Sequence, residues 1–419
     1  MTKLILSERA ARIGIAPNAA AKARAQALAA SGRTVVELTS GEPDFDTPEW
    51  IKQAAIAALA AGETKYTAQA GTLDLRNAIR DKLARENGLT YPAEQIIASS
   101  GGKHVIYNAF AATLRSGDEV IVPAPFWQSF PAMVSINDGT PVQIAGLRED
   151  GYKLTPARLE AAITPRTRWL ILNSPSNPSG AVYGADELSG LAAVLRRHPH
   201  VWILLDEIYE HIRFDDGSRE HWLTLAPDLA DRTLIVNGGS KPFAMTGWRI
   251  GYGAGPVELI RAMTIVQSQS TSAPSSVGQA ALAAALRGDQ RFVRESVGAY
   301  RERRDLLLDA LANIEGLSCV APQGAFFAFV DCSALIGSTT ASGRQILSDA
   351  DFVEYLLYDH GLAVVDGTSF GVPDHFRLSF VAERGALVEG ARRLAAAVAA
   401  LTRRNAVARS SETPLTEAL

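Results

Sequence analysis

Residues 233–255 read TLIVNGGSKPFAMTGWRIGYGAG. An apolar run, TLIVNGG (233–239), ends in glycines. A short mixed stretch follows, and a second run, RIGYGAG (249–255), takes over. Near-continuous apolar runs of this length read as strands buried on both faces. Working outward, similar runs recur at 96–100 (IIASS), 119–125 (EVIVPAP), 167–175 (TRWLILNSP) and 201–207 (VWILLDE), with helical stretches between them. That alternation predicts an α/β fold around a mostly parallel, doubly wound sheet. Ligands of such sheets bind beyond the carboxyl ends of the strands.

The flanks read differently. Residues 17–31 are rich in helix formers, with Gly32 placed to close them, and 34–38 (TVVEL) reads as a short strand. Thr47 reads as an N-cap and Pro48 as the first residue of a helix over 48–61; a further helix fits 72–87, ending before Gly88. After 280 the chain turns helical and charged (RFVRESVGAYRERRDLLLDALANI, 291–314). Candidate strands follow at 326–330 and 376–380, then a helix near 383–401. We expect a large domain over 46–284, a smaller α+β domain from 1–45 plus 285–403, and a frayed tail at 404–419.

Composition narrows the function. The chain has 419 residues, a net charge of −4, 47% hydrophobic and 21% charged residues. It lacks the basic footprint of a nucleic-acid binder, and no uncharged apolar run approaches the length of a membrane span. Two cysteines, Cys319 and Cys332, are too few for a disulfide framework and lack metal-ligand spacing. A cytoplasmic protein without a metal is expected.

Of the 41 lysines and arginines only eight are lysines, and Lys241 is the last of them. It stands at a predicted strand end, with Ser240 before it and Arg249 at the start of the next run. The other strand ends carry SGGKH (100–104), with Gly101 and Gly102 placed to offer backbone N–H groups to an anion. They also carry Trp127, a flat ring; Asn177, an amide before a proline; and Asp206, followed by Tyr209. Each has an ordinary reading as well: a turn, core packing, or a helix cap. As a set, at one edge of one sheet, they match pyridoxal 5'-phosphate. That cofactor needs an amine for a Schiff base, a carboxylate at its ring nitrogen, donors at its ring oxygen, a phosphate cup and a flat neighbour. Only a primary amine condenses with an aldehyde; a guanidinium stays protonated and delocalised.

The chain resembles class I aminotransferases of the fold-type-I pyridoxal-phosphate enzymes, nearest the bacterial aspartate aminotransferase subgroup. The likeness spans about 7–400. It is carried by SGEPDFDTP (40–48), KYTAQAG (65–71), SGGKH (100–104), NSPSNPSG (173–180), DEIYEH (206–211), SKPFAMTGWRIGYGAGP (240–256) and FRLSF (376–380). The resemblance implies that Lys241 is the Schiff-base lysine and Asp206 the partner of the ring nitrogen. Tyr209 and Asn177 would meet the ring oxygen, and Trp127 would stack on the ring. Gly101, Gly102, Ser240 and Arg249 would cup the phosphate, and Tyr66 would reach the phosphate of a neighbouring subunit in a homodimer. Arg377 would clamp the substrate α-carboxylate beside the Gly41 backbone, and Lys103 would help to bind a distal carboxylate. The subgroup usually carries a Ser/Thr stretch where this chain has GIAPNAA (14–20); Asn18 is the polar substitute there. The implied reaction is ping-pong transfer of an amino group between an L-amino acid, aspartate, and a 2-oxo acid, 2-oxoglutarate. Transfer from aromatic or other amino acids is an alternative reading. So are a lyase on the same fold and, more remotely, a ligand-sensing domain without catalysis.

Overall fold

The computed structural model describes residues 7–214 and 220–402. The tail expected at 404–419 lies outside the described residues. The strands, in chain order, are β1 Val36–Glu37, β2 Ile96–Ser99, β3 Glu119–Ala124, β4 Thr140–Ala145, β5 Thr167–Asn173, β6 Trp202–Asp206, β7 Thr233–Gly238, β8 Gly251–Ala254, β9 Ser318–Cys319, β10 Phe327–Asp331, β11 Leu362–Ala363, β12 Val365–Asp366 and β13 His375–Ser379. Seven of them form one sheet in the order β2-β8-β7-β6-β5-β3-β4. Only β8 runs against its neighbours, β2 and β7.

The central strands are buried because both faces are covered. Every residue of β7 is buried, and β2 reads the same way. Leu75, Ile79 and Leu83 of the helix Leu73–Asn87 join one core face; Val105, Ala109 and Phe110 of the helix Gly102–Thr113 join the other. The antiparallel return of β8 matters for the site. A parallel crossover would carry the chain to the amino edge of the sheet. The return instead keeps residues 239–250, with Lys241 and Arg249 at its two ends, on the carboxyl edge.

A second sheet, β12-β13-β10-β9, lies in a separate hydrophobic cluster with residues of the helices Arg291–Ala312, Asp349–His360 and Arg384–Ala399. β1 pairs in parallel with β11. Among the described residues no helix is long and apolar enough to cross a membrane.

Several expectations are corrected. The strand expected at 34–38 is two residues long, since only Val36 and Glu37 find ladder partners. Thr47 does not cap the helix Glu49–Ala60. Its hydroxyl donates to the Ala244 carbonyl at 2.6 Å and accepts from Trp248 Nε1 at 2.9 Å, tying this segment to the Lys241 connection. β4, an edge strand, escaped the sequence reading altogether.

Candidate active site

The carboxyl edge of the large sheet opens on a cavity of about 440 Å3. Each strand end delivers something to it: Gly102 and Lys103 after β2, Trp127 after β3, Asn173 and Asn177 from β5 and its turn, Asp206 and Tyr209 from β6, Ser240, Lys241 and Arg249 after β7. Gly41 and Asn18 come from the N-terminal segment and complete the wall.

Lys241 Nζ donates to the Gly41 carbonyl at 2.5 Å and lies 5.9 Å from the centre of the Tyr209 ring. Among the described residues no carboxylate stands within ion-pair distance of it. Burial lowers its pKa to about 8; Glu42 opposes the fall, and the cations Arg249 and Arg377 reinforce it. Asp206 is its mirror image. The carboxylate is buried and accepts the Ile208 N–H at 3.3 Å. Burial raises its pKa to about 7, against that hydrogen bond and the attraction of Lys241. A turn, not a helix, follows Asp206, so the helix-cap reading of this residue fails.

Arg249 does not start a strand as expected. It ends a short turn with φ +52°, and β8 begins two residues later. Its guanidinium donates to the carbonyls of Thr246 (2.8 Å) and Ser100 (3.4 Å) and has no carboxylate partner among the described residues. Gly101 packs against it. A Cβ at 101 would sit 2.5 Å from Arg249 Nη2, and φ there is +93°. Any side chain would therefore fill the space between the guanidinium and the start of the helix Gly102–Thr113. Backbone N–H groups at that helix start and a guanidinium without a carboxylate partner form an anion cradle.

Arg377 is fully buried just behind Asn177. It donates to Asn177 Oδ1 at 3.0 Å and to the Thr39 carbonyl at 2.6 Å, and its Nε has no partner among the described residues. Its guanidinium carbon lies 4.4 Å from the Phe327 ring centre. Burial lowers its pKa to about 10, with Tyr209 opposing. Lys103 Nζ lies 4.8 Å over the Trp127 ring; burial and then Arg249 lower its pKa.

Three predicted residues stand off the cavity wall, Arg377 behind Asn177 being one. Gly101 lies behind Arg249 rather than on the cavity wall. Tyr66 is 92% exposed, outside the cavity. Three contributors were missed. Asn173 bonds the Asn177 N–H (2.9 Å) and the Asp206 carbonyl (2.9 Å), locking two strand ends together. Thr39 supplies the carbonyl that holds Arg377. Gln128 accepts the Asn18 N–H at 3.2 Å, while Asn18 Oδ1 is buried without a partner. Asn173 was visible as the polar end of an apolar run; Thr39 and Gln128 also follow such runs, but one acts through its backbone carbonyl and the other through a bond to a backbone N–H, which residue type does not announce.

Known proteins match this arrangement over nearly the whole chain. The model of aminotransferase class I and II matches residues 33–394. An aspartate aminotransferase of Rhizobium meliloti is 50% identical over 391 residues, 93% of this chain and 95% of the relative. An aspartate/prephenate aminotransferase of Cereibacter sphaeroides is 50% identical over 397 residues, 95% and 99% of the two chains. The crystal structure of the aspartate aminotransferase from Rhizobium meliloti superposes with a TM-score of 0.93 at 49% identity, covering 96% of this chain and all of the other. The Thermus thermophilus aspartate aminotransferase with maleate gives 0.87 at 42% identity, covering 94% of this chain and all of the other. With the fold, the order of the motifs and the unpaired amine at 241 all accounted for by these matches, the chain belongs to the class I and II aminotransferase family.

Proposed function

We propose that this aminotransferase uses pyridoxal phosphate and moves an amino group between L-aspartate and 2-oxoglutarate, as a cytoplasmic homodimer with the two-domain division 46–284 and 1–45 plus 285–403. The observation that carries the reading is a set of oppositely charged groups at one cavity, buried Asp206, half-buried Lys241 and exposed Arg249, without ionic partners among the described residues. Asp206 suits a protonated ring nitrogen, and the Gly101–Arg249 cradle suits a phosphate. Lys241 suits an aldehyde. The bound cofactor would supply that aldehyde and a ring that takes up the electron pair left when the Cα–H bond breaks.

The protein's own part follows from the geometry. Arg377 offers a rigid, desolvated guanidinium, with Asn177 beside it, for the α-carboxylate. That anchor fixes the Cα–H bond relative to Lys241. With a pKa near 8, the Lys241 amine takes and returns a proton near neutral pH. Asp206, held buried beside β7, keeps its charge aimed at one point and costs no reorganisation as the reaction proceeds. Lys103 and Asn18 face the same cavity and would bind a distal carboxylate. The similarity to aspartate and aspartate/prephenate aminotransferases supports aspartate as donor. Tyr66, an exposed aromatic ring, would enter a partner's site. Unpaired cysteines suit the cytoplasm.

The test is a half-reaction. Holoenzyme is mixed with one amino acid at a time, from a panel of aspartate, glutamate, phenylalanine, alanine and arogenate-type acids. The cofactor absorbance is followed. Aspartate should give the fastest change, with one equivalent of 2-oxo acid released per site and no ammonia. Faster change with phenylalanine or alanine would overturn the acidic substrate, and ammonia release would overturn the transfer reaction itself.

A further inference from the structure

The front cavity takes Asn173 and Asp206 from the ends of β5 and β6. Side chains alternate along a strand, so their neighbours point the other way. Leu172 and Leu205, with Ser174 and Glu207 just past the strand ends, face a second cavity of about 300 Å3 on the opposite side of the sheet. This volume is within the range of small-molecule sites.

Its charge is the reverse of the front cavity's. Four carboxylates line it, Glu86, Glu207, Glu210 and Glu220, against one guanidinium, Arg213. Part of that charge is matched internally. Lys82 pairs with Glu210, His211 Nε2 lies 2.9 Å from Glu86, and His221 Nε2 lies 2.9 Å from Glu207 Oε1. Among the described residues, four buried atoms of the lining have no hydrogen-bond partner: Glu207 Oε2, His211 Nδ1, His221 Nε2 and Trp222 Nε1. The two histidine nitrogens lie at ion-pair distance from Glu210 and Glu207, which leaves Glu207 Oε2 and the indole N–H of Trp222, itself 3% exposed. The buried N–H left unmatched costs free energy that an acceptor oxygen would recover, and the buried carboxylate oxygen costs free energy that a cation beside it would offset. The remaining wall is apolar, including Val182 and Leu188.

A metal ion fits less well. Glu86, Glu210 and His211 bring ligand atoms within 4.8 Å of one another. A divalent ion there would have to displace the Lys82 ammonium from Glu210, and it uses neither Glu207 Oε2 nor Trp222 Nε1. An acceptor and a donor beside apolar walls call for an organic ligand instead. We propose that the rear cavity binds a small organic cation that carries an oxygen, its charge set against Glu207 and its oxygen accepting the Trp222 Nε1 hydrogen.

Choline is the probe. Its quaternary nitrogen cannot condense with an aldehyde, so it takes no part in chemistry at Lys241. Its neutral isostere, 3,3-dimethylbutan-1-ol, has the same shape without the charge. Calorimetric titration of the holoenzyme should show saturable choline binding, with the isostere at least about tenfold weaker. Glu207→Gln and Trp222→Phe should each weaken choline by about five- to tenfold, and Lys241→Ala should leave its affinity unchanged. Equal affinity for choline and isostere would overturn the proposal, as would no saturation by tens of millimolar, the behaviour of a cavity that holds only water. Indifference to both rear substitutions, with circular dichroism showing folded variants, would overturn it too. So would loss of binding in Lys241→Ala, which would place the choline in the front cavity. Because the readout is binding and not turnover, the result stands or falls apart from the aminotransferase reading.

Discussion

Two lysines on the inner side of this fold are held in opposite ways. Lys82, from the helix Leu73–Asn87, is 1% exposed and bonds Asn87 Oδ1 at 2.8 Å and the carboxylate of Glu210. Burial alone would pull its pKa down, but Glu210 more than reverses that and carries it above the ordinary value. Glu210 in turn accepts from Asn87 and Asn237, so this one pair behind the sheet is fully matched. Lys241, in front, has a carbonyl and two nearby arginines, and its pKa falls. The difference teaches where to look for chemistry. A buried charge that the fold has matched is architecture; one left unmatched at a cavity is kept for a ligand.

The largest effect should come from removing the unmatched amine. Lys241→Ala should lower kcat by on the order of 10^3–10^4-fold, and borohydride should no longer fix cofactor to the protein. Lys241→Arg keeps the charge and most of the length, and should fail as badly. Appreciable turnover in the arginine variant would break the comparison, because charge rather than condensation would then be the requirement.

The matched lysine predicts a stability effect. Lys82→Met leaves Glu210 buried without its cation, and urea denaturation should show a loss of about 3–5 kcal/mol. Adding Glu210→Gln should recover more than half. A loss below about 1 kcal/mol, the worth of an exposed pair, would mean that the rear charges are not settled by each other. Arg377→Lys comes next. It removes the two-pronged carboxylate contact but keeps a cation, and kcat/KM should fall by about 10- to 100-fold, from the loss of one charged hydrogen bond worth about 1.5–3 kcal/mol. The fall should appear mainly in KM; an unchanged KM would place the α-carboxylate elsewhere.

How much of this was legible in the sequence follows the same division. The central strands announced themselves because burial on both faces makes them continuously apolar. β4 did not. Its sequence, TPVQIA, has no buried residue at the sheet edge and carries a proline at its second position, which weakens a strand reading. Most residues that the structure gathers at the front cavity follow an apolar run, so a local rule found them; Asn18 does not, and came only from the family resemblance. Thr39 and Gln128 follow such runs and still went unread, because Thr39 acts through its backbone carbonyl and Gln128 through one bond to a backbone N–H. The rear network was equally hidden. Lys82 and Glu210 are 128 positions apart, and a lysine in a charged helix reads as solvated until the fold buries it.

The smallest effect tests why Lys241 titrates low. Burial is the main cause and Arg249 a lesser one. In the protein freed of cofactor, the rate of forming a borohydride-trappable adduct with pyridoxal should rise with pH and level off near 8. Pyridoxal lacks the phosphate, so Arg249 enters only through its charge. A lysine at its ordinary 10.5 would still be gaining rate two pH units higher. Replacing Arg249 with Gln removes a cation that disfavours the ammonium. The midpoint should then move up by a few tenths of a unit to about one unit, with the rate at pH 7 down by less than about tenfold. A shift much larger than that would make neighbouring charge, and not desolvation, the ruling term. A midpoint near 10.5 in the unmodified chain would show that Lys241 is solvated, and the contrast with Lys82 would lose its physical basis.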